Sequence, residues 1–178
     1  VSDSSQNILT VEDPIEYTLP GIGQTQVNAK AGYDFASGLR SILRQDPDIV
    51  MVGEIRDIET AKIAIQASLT GHLVLSTVHT NSAIGAIARL RDMGIESYLL
   101  ASSIRMVVSQ RLVRRLCTKC RIEITASDSI QQKFSLNSGS TVFQPNGCAE
   151  CGHSGFKGRV SLAECISFTD ELKALIHD

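Results

Sequence analysis

Short apolar runs alternate with helix-length amphipathic segments along this chain, and that alternation leaves few architectures open. Ile49, Val50, Met51 and Val52 form an unbroken apolar run between Pro47 and Gly53. A run that is apolar at every position, not at alternate ones, fits a strand covered on both faces, as in a parallel sheet. Residues 8–11 and 73–78 read as two further strands, each mostly apolar. Helices are expected between them. Asp34 is a good N-cap for a helix over 34–45, with Phe35, Leu39, Ile42 and Leu43 on one side. A second covers 58–69, with Ile58, Ala61, Ile65 and Leu69 in register and Gly71 as its stop. Ser82 opens a third that runs to Met93, and a fourth is expected over 96–116. Residues 19–32 read as loop with one short strand at 25–27, and 170–177 as a last short helix. The pattern predicts an α/β fold, a parallel sheet with flanking helices.

The composition changes at Cys117, after which the chain is polar and rich in Gly and Ser up to Gly158. The expected division is therefore a core over 1–116, a small module over 117–158 and a terminal strand and helix over 159–178. With 178 residues, 43% of them apolar, the chain can bury a core. A net charge of −2 gives no general reason to expect nucleic acid or an anionic membrane as partner. No apolar run approaches the ~20 residues of a membrane span, and residues 1–7 carry no secretory signal.

Four of the five cysteines form two C-x-x-C pairs, Cys117 with Cys120 and Cys148 with Cys151. Four thiolates so spaced can close a tetrahedral structural Zn²⁺ site. Free thiols or two local disulfides are the alternatives. A C-x-x-C disulfide would not pin the long polar segment 121–147, whereas a metal ties its two ends. Cys165 is expected to be a small buried residue and not a fifth ligand. The basic run Arg111, Arg114, Arg115, Lys119 and Arg121 reads as a solvated helix end.

Three of the apolar runs end in groups that handle protons or metals. The stretch "ILTVEDPIEY" ends in Glu12 and Asp13 with Glu16 close by, "IVMVGEIRD" in Glu54, Arg56 and Asp57, and "LVLSTVHTN" in His79. Carboxylates are costly to bury without a partner. In parallel sheets the carboxyl edge is where ligands bind. Convergence of three such ends points to a cation or phosphate site.

These stretches resemble the Asp box, Walker B motif and His box of the secretion ATPases, a family of hexameric RecA-like motors. The resemblance spans residues 7–158, and "NILTVEDPIEYTLPGIGQTQVNAKAG" and "LRQDPDIVMVGEIRDIETA" are its most specific phrases. The wording is nearest the type II secretion branch, with the type IV pilus assembly ATPases next. The resemblance implies a RecA-like P-loop NTPase core with ATP and Mg²⁺ as cofactors, and a homo-hexamer working with inner-membrane secretion platform proteins. It implies a cytoplasmic protein, peripheral to the inner membrane through its partners. By the same resemblance Glu12 polarises the attacking water, and Asp13 and Glu16 support it or the metal. Glu54 binds Mg²⁺ or activates water, and His79 senses nucleotide. Arg40, Arg44 and Arg56 are implied nucleotide-sensing or intersubunit arginines. For Arg40 and Arg44 a surface ion pair is an equal alternative. Tetracysteine modules occur in secretion and pilus-extension motors but not in retraction motors. The competing class, a zinc-ribbon nucleic-acid-binding module, is disfavoured by 4% aromatic residues and a slightly negative charge.

The phosphate loop of such motors, G-x-x-x-x-G-K-S/T, does not occur in the sequence. The resemblance puts that loop ahead of the Asp box, so the chain reads as the C-terminal part of a motor with negligible ATPase activity of its own. The strand that carries the loop is expected centrally, beside residues 49–52. Its absence would leave an unpaired edge and a tendency to self-associate.

Overall fold

The structure, a computed structural model, describes residues 5–177. The chain divides into two compact units, one made of the residues up to Ser109 together with those from Glu164, the other Gln110–Ala163.

The first unit is built on four parallel strands: β1 (Ile8–Glu12), β2 (Gly23–Gln26), β3 (Ile49–Val52) and β4 (Leu73–Ser76), in the order β2-β1-β3-β4. Leu9 stands opposite both Gly23 and Val50, and Val50 opposite Val74. The two central strands carry the buried side chains: Ile8, Leu9, Val11, Ile49, Val50 and Val52 are all buried. The polar β2, with sequence GQTQ, takes one edge. It begins two residues before the expected 25–27, because Gly23 pairs opposite Leu9.

Helix α1 (Phe35–Ile42) starts on a reciprocal cap in which the Ser37 N–H donates to Asp34 Oδ1 at 2.8 Å and the Asp34 N–H donates to Ser37 Oγ at 2.9 Å. Phe35, Leu39 and Ile42 pack with Leu9, Val11, Val50 and Val52 in one core. Gly38 permits that approach: a Cβ there would lie 2.8 Å from Val11 Cγ1. Helix α2 (Ile58–Leu69) has the predicted bounds, with Asp57 as N-cap accepting the Thr60 N–H at 2.8 Å. Its buried side agrees with the expected one at Ala61 and at the half-buried Ile65 but not at its ends. Thr60, Ala61, Ala64 and Ala67 face inward, while Ile58 and Leu69 are 40% and 49% exposed. Small residues here let the helix lie close to its neighbours. Helix α3 (Ala83–Asp92) begins at its Ser82 cap, as expected.

The expected helix over 96–116 is only a third helical. Helix α4 (Ser97–Ser103) stops at Ile104, whose backbone is extended, and β5 (Met106–Leu116) follows. It pairs with β8 (Phe156–Ser167), which leads to helix α6 (Asp170–His177). Val107, Val108 and Val113 are β-branched, and Arg111 and Arg115 share a strand face as readily as a helix face. Cys165, expected to be buried, is exposed on β8.

The position of the open edge also departs from expectation. Strand β3 has partners on both sides, and among the described residues the open edges of the sheet are those of β2 and β4. Leu73 and Leu75 are each 45% exposed. An apolar cavity of about 670 Å³ runs between residues 73–78 and residues 102–108.

The second unit contains β6 (Ile122–Thr125) and β7 (Thr141–Gln144), an antiparallel pair with Ile124 opposite Val142. Helix α5 (Asp128–Phe134) lies between them in sequence and buries no residue. Apart from Cys117 and Ala126 this unit has almost no buried apolar side chain. No helix among the described residues is long and apolar enough to cross a membrane.

Candidate nucleotide site and metal centre

Adjacent parallel strands bring their carboxyl ends together, and this aligns the three predicted motifs. Glu12 closes β1, Glu54 lies two residues past β3, and His79 three residues past β4. The ladder continues beyond the strands. The Gly53 N–H donates to Val11 O at 2.8 Å, the Ile55 N–H to Thr77 O at 2.9 Å, and Thr77 Oγ1 to Gly53 O at 2.7 Å. Gly53 allows the close passage, since a Cβ there would stand 3.3 Å from Val11 O and 3.5 Å from Glu12 Cα.

Glu54 is the centre of the charged cluster. Its side chain is only 11% exposed, and each carboxylate oxygen has a partner. Arg56 pairs with Oε1, and His79 Nε2 lies 3.1 Å from Oε2. The Arg56 hydrogen bond holds the Glu54 carboxyl below its ordinary value of 4.5, against the opposing effect of burial and with help from His79. Arg56 in turn holds its proton more firmly because of Glu54 first and the charge of Asp13 after it. Arg56 therefore couples the end of β3 to the acid that follows β1. A carboxyl depressed in the fold stabilises it above the ordinary carboxyl range, and that contribution disappears as pH falls through the folded-state value. Arg56→Ala should accordingly lower stability at pH 7 more than at pH 4, as read by urea unfolding at the two values.

Glu12 faces other partners. Thr10 Oγ1 donates to its Oε1 at 2.5 Å and Gln24 Nε2 donates to the same oxygen at 2.8 Å. The remaining predicted residues are more dispersed. Glu16 is exposed on the segment after β1. Arg40 pairs with Glu59 across α1 and α2, both side chains about half exposed, and Arg44 Nη1 donates to Arg40 O at 2.9 Å. Arg40 thus takes the surface-pair arrangement, worth about 0–1 kcal/mol, whereas Arg44 bonds to a backbone carbonyl. Sequence reasoning missed Thr10 and Gln24. The alternation of Gln24 and Gln26 about Thr25 was their one signal, because it puts both amides on one side of an edge strand.

The four predicted cysteines converge in the second unit, all their Sγ atoms within 4.8 Å of one another. Cys117 and Cys148 are 4.0 Å apart, and Cys151 lies 3.8 Å from both Cys120 and Cys148. These separations exclude S–S bonds of ~2 Å. They match the edge of a tetrahedron of thiolates ~2.3 Å from a central ion, which is about 3.8 Å. Backbone N–H groups already serve the sulfurs: Gly147 donates to Cys120 Sγ at 3.3 Å, Cys148 to Cys151 Sγ at 3.3 Å and Gly155 to Cys151 Sγ at 3.2 Å. The donation from Cys148 is the main reason the Cys151 thiol is drawn down to about 6, while burial pushes Cys120 up to about 11. The Cys151 thiolate therefore forms more readily than that of Cys120. The basic run beside this centre, expected at a helix end, has Arg111, Arg114 and Arg115 on strand β5, and two of its arginines stack on rings. The Arg114 guanidinium sits 4.0 Å over the Phe156 ring and that of Arg121 sits 4.2 Å over Phe143.

Comparison with known proteins gives the family and the fold. The family model described as "Type II/IV secretion system protein" matches residues 1–178. Type II secretion system protein E of Klebsiella pneumoniae is 59% identical over 172 residues, 97% of this chain and 35% of the relative. Type II secretion system ATPase E of Vibrio cholerae is 54% identical over 179 residues, 99% of this chain and 36% of the relative. The chain thus spans about a third of the length of the curated relatives it matches. Among solved structures, the pilus retraction motor PilT with bound ADP superposes with a TM-score of 0.69 at 29% identity, covering 97% of this chain and 41% of that one.

Proposed function

The chain belongs to the family of type II/IV secretion system proteins, and on that premise we propose that it is part of a longer hexameric ATPase that powers type II protein secretion. Hydrolysis would move an attached inner-membrane platform, with the motor on the cytoplasmic side. Relatives named for type II secretion, at 54–59% identity, support the choice of apparatus. The observation that carries the reading is the cluster at the sheet edge: Glu54 clasped by Arg56 and His79, one strand away from Glu12.

Each side chain has a task consistent with its position. Glu54 and Asp13 are oxygen donors of the hard type that Mg²⁺ prefers, and a bound Mg²⁺ would neutralise charge on the phosphates. Glu12, hydrogen-bonded at Oε1, offers Oε2 to orient an attacking water and take its proton. His79, 83% exposed at the rim, is free to exchange Glu54 for a terminal phosphate. Arg56 supplies positive charge beside the same oxygen atoms. The donor that cradles the phosphates is not among these residues, since the sequence has no phosphate loop. Residues 117–158 serve as a structural Zn²⁺ module through Cys117, Cys120, Cys148 and Cys151. Nucleic acid is not the substrate, in keeping with arginines that stack on the protein's own rings.

A steady-state assay with Mg²⁺ and ATP tests the reading. The full-length protein is expected to turn over ATP, and this chain alone to show less than a hundredth of that rate. Equal rates for the two would remove the need for an outside phosphate loop and overturn the assignment.

A further inference from the structure

We propose that Gln24 is the positioning residue for Glu12, an inference that rests on the reading of Glu12 as the group that orients the attacking water. The side chain of Gln24 makes three contacts that tie distant parts of the site together. Its Nε2 donates to Glu12 Oε1 at 2.8 Å and to Tyr17 O at 3.0 Å, while its Oε1 accepts the Leu19 N–H at 2.7 Å. The amide thus uses both its donor and its acceptor ends. One end fixes the carboxylate and the other fixes the segment that connects β1 to β2 and carries Asp13 and Glu16.

Thr10 completes the arrangement. It lies two residues before Glu12 on the same face of β1, is 3% exposed, and donates to the same oxygen at 2.5 Å. Two donors on Oε1 select one rotamer of Glu12, and Oε2 receives neither of them. A carboxylate held at one oxygen has its second oxygen fixed in direction, which is what alignment of a water molecule requires. The register of β1 against β2, with Thr10 opposite Gln24 and Glu12 opposite Gln26, makes this reach possible: the amide sits one pleat back from the acid it holds. Glutamine suits the position because its amide can donate to a carboxylate and accept from a backbone N–H at once. A glutamate there would keep the shape, lose the donor and set a second negative charge against Glu12.

The test uses the full-length protein and Mg²⁺-ATP turnover in four forms: unaltered, Gln24→Glu, Glu12→Gln and the double variant. Loss of one hydrogen bond to the charged group predicts a fall in kcat of about tenfold or more for Gln24→Glu. KM for ATP should stay within about twofold, and the melting temperature close to that of the unaltered protein. In the Glu12→Gln background the Gln24 change should bring no further loss, because its effect passes through Glu12. A defect of folding or of nucleotide binding would instead add to the Glu12 variant and raise KM. If Glu12→Gln is inactive while Gln24→Glu keeps its kcat, or if the two losses multiply, Gln24 does not position Glu12 although the reading of Glu12 stands. If Glu12→Gln keeps full turnover, both fall together. Gln24→Leu, which introduces no charge, guards against a purely repulsive effect and should lose kcat to a similar degree.

Discussion

Removal of the metal, or of one ligand by Cys148→Ser, is expected to unfold the Gln110–Ala163 unit while leaving the parallel sheet intact. The unit has little else to hold it. Its helix α5 buries nothing, and Phe134, Leu136, Phe143 and Leu162 are all substantially exposed. The polar segment 121–147 is anchored at both ends by thiols that lie 3.8–4.0 Å apart. Binding of a structural zinc by such a set is worth ~10–16 kcal/mol near neutral pH, several times what so small a core supplies. Chelation followed by limited proteolysis should cut within residues 121–147 and spare residues 8–92. Metal analysis should give one zinc per chain before treatment and none after Cys148→Ser. A chelated protein that resists protease as well as the untreated one would show that the thiol cluster holds the unit without an ion.

The second large effect concerns Glu54. In the full-length protein Glu54→Gln is expected to lower ATP turnover by about 10²–10⁴-fold, the range for loss of a positioned proton-handling or metal-binding group. The substitution preserves size, and the amide can still bond to His79. Removing the negative charge leaves Arg56 without its strongest partner, so thermal stability should fall only modestly while catalysis collapses. Turnover within a factor of three of the unaltered protein would move the chemistry to another residue.

Much of this was legible in the residues. Strand β3 and helices α2 and α6 have the bounds that their sequences predict, the first two because a Pro, a Gly or a capping acid brackets them. The four cysteines announce their own meeting through spacing alone. Position along β1, β3 and β4 followed once the strands were read as parallel neighbours. What failed shares one physical cause: it depended on partners distant in sequence. Residues 106–116 are apolar and basic in an order that suits either period, and only β8, some fifty residues later, decides for a strand. The expected register of α2 held at Ala61 and Ile65 but missed Thr60, Ala64 and Ala67, which close packing buries in place of Ile58 and Leu69. The contact of Gln24 with Glu12 needed the register of two strands to within one residue, and propensity does not carry that information.

The pairing of β5 with β8 has a further consequence. The metal-binding unit is entered along one strand and left along its hydrogen-bonded neighbour. It is therefore an insertion between two paired strands and not a link between strands of the parallel sheet. A lineage could lengthen or trade it without disturbing a single rung of the parallel ladder.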